Sequence, residues 1–112
     1  MQTVVETPPY LANAERLFTA EERAAIIDTV AADPYCGVVI PGSNGIRKVR
    51  FGFGGRGKSG GARVIYLFGG ADIPVFLLAA FAKNQKSDLT PRERLALGKS
   101  VAEMLANYRR IR

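Results

Sequence analysis

The fold is decided by Ile46-Arg47-Lys48-Val49-Arg50-Phe51-Gly52-Phe53 and, shortly after it, Ala62-Arg63-Val64-Ile65-Tyr66-Leu67-Phe68. In the first run, Val49 and Phe51 alternate with basic residues, a period of two that is typical of a β-strand buried on one side. In the second run Val64, Tyr66 and Phe68 share one face and Arg63, Ile65 and Leu67 the other. We expect Tyr66 to lie in the core rather than to stack on a ligand. The two runs therefore predict paired strands with one apolar and one basic face.

Two helices are predicted before these strands, after a short β-prone opening at Thr3–Glu6. Thr7-Pro8 has the composition of an N-cap followed by proline at the first helical position. Thr19-Ala20-Glu21-Glu22 is a capping box that opens a second helix. Asp33-Pro34 ends that helix, because the residue before proline avoids the α region.

A third strand and a last helix are predicted after them. Ile73–Lys83 reads as a largely buried strand, and Thr90-Pro91-Arg92-Glu93 opens a helix with one apolar side. The order predicts a single α+β domain over residues 1–112, with a four-stranded antiparallel or mixed sheet, two N-terminal helices and a C-terminal helix. We expect the helices to cover only the apolar face of the sheet and to leave the basic face open.

The charge is strongly segregated along the chain. The net charge is +6, and no acidic residue occurs between Asp33 and Asp72. A basic surface without acidic neighbours should attract phosphates. The cations in this interval are Arg47, Lys48, Arg50, Arg56, Lys58 and Arg63.

The composition excludes several kinds of site. Cys36 is the only cysteine and there is no histidine, so an intrachain disulfide, an all-cysteine metal site and a histidine general base are all impossible. We therefore expect no cofactor and a reducing compartment. The N-terminus lacks a signal pattern, and the longest apolar stretch is short and contains Pro74, which together predict a cytoplasmic protein without membrane attachment.

One glycine-rich segment resembles a nucleotide site in spacing only. Gly52-Phe53-Gly54-Gly55-Arg56-Gly57-Lys58-Ser59 matches G-x-x-x-x-G-K-[ST]. A P-loop needs a helix that begins at its lysine, because helix N-terminal amides hold the phosphates. The β-branched run that follows predicts a strand instead. We interpret the segment as a hairpin loop whose Arg56 and Lys58 contact RNA phosphates.

Several short motifs resemble, in order, the HigB-like branch of the RelE toxin superfamily. They are Ile40-Pro41-Gly42, Gly45–Phe51, Arg56–Gly61, Arg63–Tyr66, Ala82-Lys83-Asn84 and Asp88-Leu89-Thr90. The resemblance implies a four-stranded sheet packed by helices, binding in the ribosomal decoding site and cleavage of messenger RNA by a ribose 2′-hydroxyl. It also implies a neutralising antitoxin, a helix-turn-helix protein of the HigA type.

The resemblance also implies site residues. The strand-borne cations of the family match Lys48, Arg50 and Arg63, and its basic residues past the last strand match Lys83 and, more loosely, Lys86. The chain departs from some relatives near Thr90, where they place a tyrosine. Arg47, Arg56, Lys58 and Lys86 are the further candidate RNA-binding residues.

The chemistry of RNA transesterification suggests a role for each catalytic candidate. Arginine stays protonated and grips phosphate oxygens in a bidentate manner, which suits Arg63 with Arg50 beside it. Neighbouring positive charge favours a neutral lysine amine, so Lys48 is the candidate base and Lys83 the candidate acid or phosphate clamp.

Three alternatives stay open at this point. Lys48 and Arg50 could form an ordinary solvated strand face. The chain could be a ParE-like gyrase inhibitor of the same superfamily, or a basic module that binds nucleic acid without cutting it.

Overall fold

Residues 1–43, 45–52, 61–83 and 89–111 are described by a computed structural model, with side chains as far as residue 109. Within these ranges the chain forms helices and strands in the order expected, with one additional strand. They are β1 (Val4–Glu6), α1 (Pro8–Leu17), α2 (Ala20–Ala32), β2 (Val38–Val39), β3 (Ile46–Phe51), β4 (Ala62–Leu67), β5 (Val75–Ala82) and α3 (Pro91–Ile111).

The described strands form one mixed sheet in the order β1-β5-β4-β3-β2. β1 pairs in parallel with β5, and every other neighbouring pair is antiparallel. The predicted α+β class is confirmed, but the predicted count of four strands is wrong. The fifth strand is β2, in which Val38 pairs with Lys48 and Val39 with Arg47. Two residues are too few for a periodic pattern to reveal a strand.

The predicted helix starts are confirmed by their capping hydrogen bonds. The Thr7 hydroxyl accepts from the Tyr10 N–H at 3.4 Å and donates to the Leu77 carbonyl at 2.7 Å, which ties α1 to β5. Thr19 and Glu22 form a reciprocal capping box at α2. Thr90 and Glu93 do the same at α3. Each box satisfies backbone donors that a helix start leaves without partners.

The α1/α2 face of the sheet carries the larger apolar core. Val64 and Tyr66 of β4 and Leu77 of β5 are fully buried there, against Tyr10 of α1 and Val30 of α2. Directly opposed residues share a face, so the register Val49↔Val64 places Val49 in the same layer. Tyr66 is a core residue, as expected.

The opposite face is only half open, which corrects the expectation that helices cover the apolar face alone. Ile46, Leu67 and Phe81 are buried there in a second core, together with Leu97 and Val101 of α3. The reason is that β3 and β4 are apolar at one end of this face and basic at the other. α3 covers the apolar end, so the basic residues occupy only the remaining, uncovered end of this face.

A bulge in β5 keeps both faces apolar along this strand. Ile65 pairs with Ala79 and Tyr66 with Leu77, which leaves Leu78 as the extra residue. The predicted strand Ile73–Lys83 is therefore confirmed with shorter bounds. Within the described ranges, none of the helices combines the length and apolar character that crossing a bilayer requires.

Candidate nucleic-acid interface

Two arginines meet at the open end of the α3 face. Arg50 of β3 and Arg63 of β4 are directly opposed in the antiparallel register. Opposed residues point to the same side of a sheet, with Cβ atoms about 5 Å apart. Arg50 is exposed and Arg63 is half-buried. Two guanidinium groups are therefore carried side by side by a paired, rigid part of the sheet.

Lys48 completes the group. It lies two residues before Arg50 on β3, and side chains two apart on a strand share a face. Its opposed residue is Ile65, so Arg63 is its diagonal neighbour, with Cβ atoms about 7 Å apart. Three long cationic side chains can thus converge on one phosphate. We call Lys48, Arg50 and Arg63 the cationic corner.

The strands around the cationic corner contribute no carboxylate. On the same face, the register places Val38 opposite Lys48, Ile65 on β4, and Phe81 opposite Arg63. Acidic residues of the described strands are confined to Glu6 in β1, which pairs with Arg23 of α2 at 3.2 Å. The described strands themselves therefore contribute only positive charge to this part of the sheet, in keeping with the acid-free interval of the sequence.

Lys83 lies at the border of the cationic corner. It follows β5 directly, is half-buried, and its backbone N–H donates to the Gly61 carbonyl at 3.0 Å. It comes two residues after Phe81, the residue opposed to Arg63. The backbone of Lys83 is therefore close to the strand that carries Arg63.

Arg47 is not brought together with Lys48, Arg50 and Arg63. It is opposed to Tyr66 and so belongs to the α1/α2 face. Its guanidinium donates to the Gly37 carbonyl at 2.7 Å and lies 5.1 Å from the centre of the Tyr35 ring. Period-two alternation puts neighbouring cations on opposite faces. The structure thus gives Arg47 a role in holding the segment before β2 and separates it from the cationic corner.

The segment before β2 is also held by the hydroxyl of the buried Tyr66, a contact that the sequence did not predict. The Tyr66 hydroxyl donates to the Pro34 carbonyl at 2.7 Å and accepts from the Gly37 N–H at 2.8 Å. Cys36 Sγ lies 3.7 Å from the same oxygen. Burial raises the pKa of the Tyr66 hydroxyl above its ordinary value, and the contact with Cys36 raises it further. Tyr66 thus fixes the path of the chain into β2.

Three of the predicted site residues lie outside the described residues: Arg56, Lys58 and Lys86. The segment with P-loop spacing is also outside them, apart from Gly52. Its flanks are described, however, and Phe51 pairs with Ala62 in the antiparallel ladder. The prediction that a strand follows this segment, rather than the helix of a P-loop, is confirmed.

The fold compares well with a solved toxin structure. The free state of a mutant of the toxin RelE from E. coli superposes with a TM-score of 0.54 at 14% sequence identity. The match covers 76% of this chain and 86% of that one. At this level of identity the comparison establishes a shared fold, so the class is a RelE-like α+β fold.

The family follows from the sequence. Residues 41–111, well over half of the chain, match the model of the family described as the RelE toxin of the RelE/RelB toxin–antitoxin system. The chain therefore belongs to the RelE toxin family. The matched region includes all of β3, β4, β5 and α3, and with them the complete cationic corner.

Proposed function

We propose that this chain, acting as one domain over residues 1–112, is a toxin that cleaves messenger RNA on the ribosome. The observation that carries the proposal is the register of Arg50 against Arg63, with Lys48 beside them on the same open part of the sheet. Membership of the RelE toxin family supports the same conclusion. We further propose that the chain belongs to the HigB-like branch and acts in the cytoplasm.

The proposed reaction is an attack of a ribose 2′-hydroxyl on the adjacent phosphate. The 2′ oxygen bonds to phosphorus as the bond from phosphorus to the 5′ oxygen breaks, giving a 2′,3′-cyclic phosphate and a 5′-hydroxyl. Negative charge builds up on the non-bridging oxygens during the step. Arg50 and Arg63 can donate to these oxygens from a fixed position, and such preorganised donors stabilise a transition state most effectively.

Proton transfer needs a base and an acid. Lys48 in its neutral form takes the proton of the 2′-hydroxyl, and Lys83 in its charged form gives one to the departing 5′ oxygen. A lysine is a poor base at neutral pH. Alignment of the messenger by the ribosome would compensate, because positioning alone supplies a large share of many rate enhancements.

A toxin of this kind requires a partner that neutralises it. The family description names a toxin–antitoxin system, which supports a cognate antitoxin as the partner. We propose a helix-turn-helix antitoxin of the HigA type. The ribosome and its bound messenger are the proposed site of action.

The test is a translation reaction to which the purified chain is added, followed by mapping of messenger RNA ends. We expect new ends within translated codons and a cyclic phosphate at the upstream fragment, which is the end that metal-independent attack by the 2′-hydroxyl leaves. A messenger with a single 2′-deoxy ribose at the mapped position should stay intact there.

Two outcomes would favour the alternative functions instead. Intact messenger together with inhibited supercoiling by gyrase would identify a ParE-like toxin. Intact messenger together with salt-sensitive RNA binding would identify a module that only binds nucleic acid. A matched control is Arg16→Ala, which removes an exposed arginine of α1 that is not part of the cationic corner.

A further inference from the structure

Val38 is an exposed aliphatic residue beside the cationic corner. It is opposed to Lys48 in the β2–β3 ladder, so both side chains lie on the same face of the sheet. The residue is 67% exposed, so most of this apolar side chain is in contact with solvent. An exposed apolar side chain thus lies one strand spacing, about 4.8 Å, from the strand that carries Lys48 and Arg50.

The other flank of the cationic corner offers no such surface. Phe81 is opposed to Arg63 across the β4–β5 ladder and is only 8% exposed. Ile65, between Lys48 and β5, is fully buried. Among the described side chains that the strands present around the cationic corner, the accessible apolar one is therefore Val38.

We propose that Val38 contacts the nucleobase next to the scissile phosphate and so contributes to the choice of cut site. The inference rests on the proposed nuclease function. A nucleotide joins an anionic phosphate to a largely apolar base through one ribose, and the register places an aliphatic side chain directly beside the cations. Cations provide affinity without sequence information, whereas contacts with bases specify sequence. Val38 would supply the second kind of contact.

The position of β2 explains how a two-residue strand can hold such a contact. The chain before it is fixed by the Tyr66 hydroxyl, which binds both Pro34 and Gly37. The chain after it is fixed by Ile40, whose N–H donates to the Ile46 carbonyl at 2.9 Å. Val38 is therefore presented from a segment anchored on both sides.

The chain offers a matched control in the next residue. Val39 is also exposed, at 45%, and is opposed to Arg47, so its side chain lies on the α1/α2 side. Both valines lie in β2, and substitutions at exposed strand positions seldom change stability much. Aromatic residues are also well tolerated in strands. The same substitution at position 38 and at position 39 therefore differs mainly in the face of the sheet that it alters.

The experiment measures single-turnover cleavage on ribosomes programmed with messengers that differ only in the base beside the cut. With subsaturating protein, Val38→Phe should raise the rate about tenfold, because a ring can stack on a base. Val38→Ala should lower it about fivefold through lost apolar contact. Both should change the ratio of rates between purine and pyrimidine messengers, while Val39→Phe and Val39→Ala leave rate and ratio as in the wild type.

Equal effects at positions 38 and 39, or none at 38, would overturn the inference. Cutting by the wild type in the same assay separates this failure from that of the nuclease proposal. If the wild type cuts and the Val38 variants behave as the wild type, only the base contact is wrong. If the wild type leaves the messenger intact, both proposals fail. Weakened antitoxin binding by Val38→Ala with unchanged cutting would instead assign Val38 to a protein interface, and would also overturn the inference.

Discussion

Arg50 and Arg63 face each other across the β3–β4 ladder, in direct register and on the side of the sheet that α3 leaves partly open. Like charges at directly opposed positions destabilise a sheet, whereas opposite charges at such positions stabilise it. The neighbouring positions on this face are Lys48, Val38 and Phe81, so the strands themselves provide no carboxylate. An anion that bridges the two guanidinium groups would therefore be stabilising.

The salt dependence of RNA binding should therefore report the contribution of the cationic corner. For single strands, the logarithm of affinity falls by about 0.7 per phosphate contact for each logarithmic unit of salt. Arg50→Ala should reduce this slope by about that amount, as measured by fluorescence titration of a single-stranded RNA at several salt concentrations. Arg16→Ala should not change the slope. A similar reduction for both variants would show that binding follows net charge alone.

Two buried tyrosines should respond in opposite ways to loss of their hydroxyls. Tyr66 and Tyr10 are both fully buried, but the Tyr66 hydroxyl has two backbone partners. Among the described residues, the Tyr10 hydroxyl has no hydrogen-bond partner. We expect Tyr66→Phe to lower the free energy of unfolding by about 2 kcal/mol, and Tyr10→Phe to leave it unchanged or raise it by about 1 kcal/mol. Urea denaturation of the two variants tests this, and equal losses would contradict it.

The same tyrosines predict how stability changes at alkaline pH. Burial, reinforced by Glu6, raises the pKa of Tyr10 to about 12, and burial also raises that of Tyr66. Both hydroxyls are thus held protonated in the folded state, while the unfolded chain ionises near pH 10. The stability that they contribute is fully present below about pH 10 and is lost as the pH rises towards 12.

Urea denaturation at a series of pH values from about 8 to 11.5 measures this loss. The decline above about pH 10 should be shallower in Tyr10→Phe than in the wild type, because one of the shifted groups has been removed. Identical alkaline profiles for the two proteins would contradict the prediction.

Glycine at position 37 is required by close packing. A Cβ atom built there would lie 2.8 Å from the Tyr66 hydroxyl and 2.9 Å from the Lys48 carbonyl oxygen. We expect Gly37→Ala to destabilise the protein by about 2 kcal/mol, since the buried contact must open. Gly98 in α3 has open space around it, and Gly98→Ala should stabilise by about 0.5–1 kcal/mol through helix propensity. Thermal unfolding of both variants compares the two; a stable Gly37→Ala would contradict the close packing.

The local parts of the fold could be predicted because their signals lie within a few residues. The caps at Thr7, Thr19 and Thr90 are short patterns with a direct hydrogen-bond explanation. The alternation around Val49 and Val64 fixed two strands and their faces. The placement of α3 could not be predicted in this way. It depends on contact between the apolar end of one sheet face and the apolar side of α3, which is far from β3 and β4 in sequence.

The candidate site was only partly predictable for the same reason. Alternation placed Lys48 and Arg50 on one face, but only the ladder register shows that Arg63 is opposed to Arg50. The strand β2 escaped detection, although the β-branched pair Val38-Val39 before a turn at 41–43 was a usable hairpin signal. Charge alone groups Arg47 with its neighbours, whereas alternation assigns it to the other face of the sheet.

The cationic corner is proposed to stabilise the charge of a phosphate undergoing cleavage. Single-turnover cleavage of a ribosome-bound messenger by Arg63→Ala, next to the wild type and Arg16→Ala, tests it most directly. We predict a rate about 10²–10³ lower for Arg63→Ala, as is usual when one preorganised donor is removed, and an unchanged rate for Arg16→Ala. Cleavage by a folded Arg63→Ala protein at the wild-type rate would show that Arg63 does not have this role.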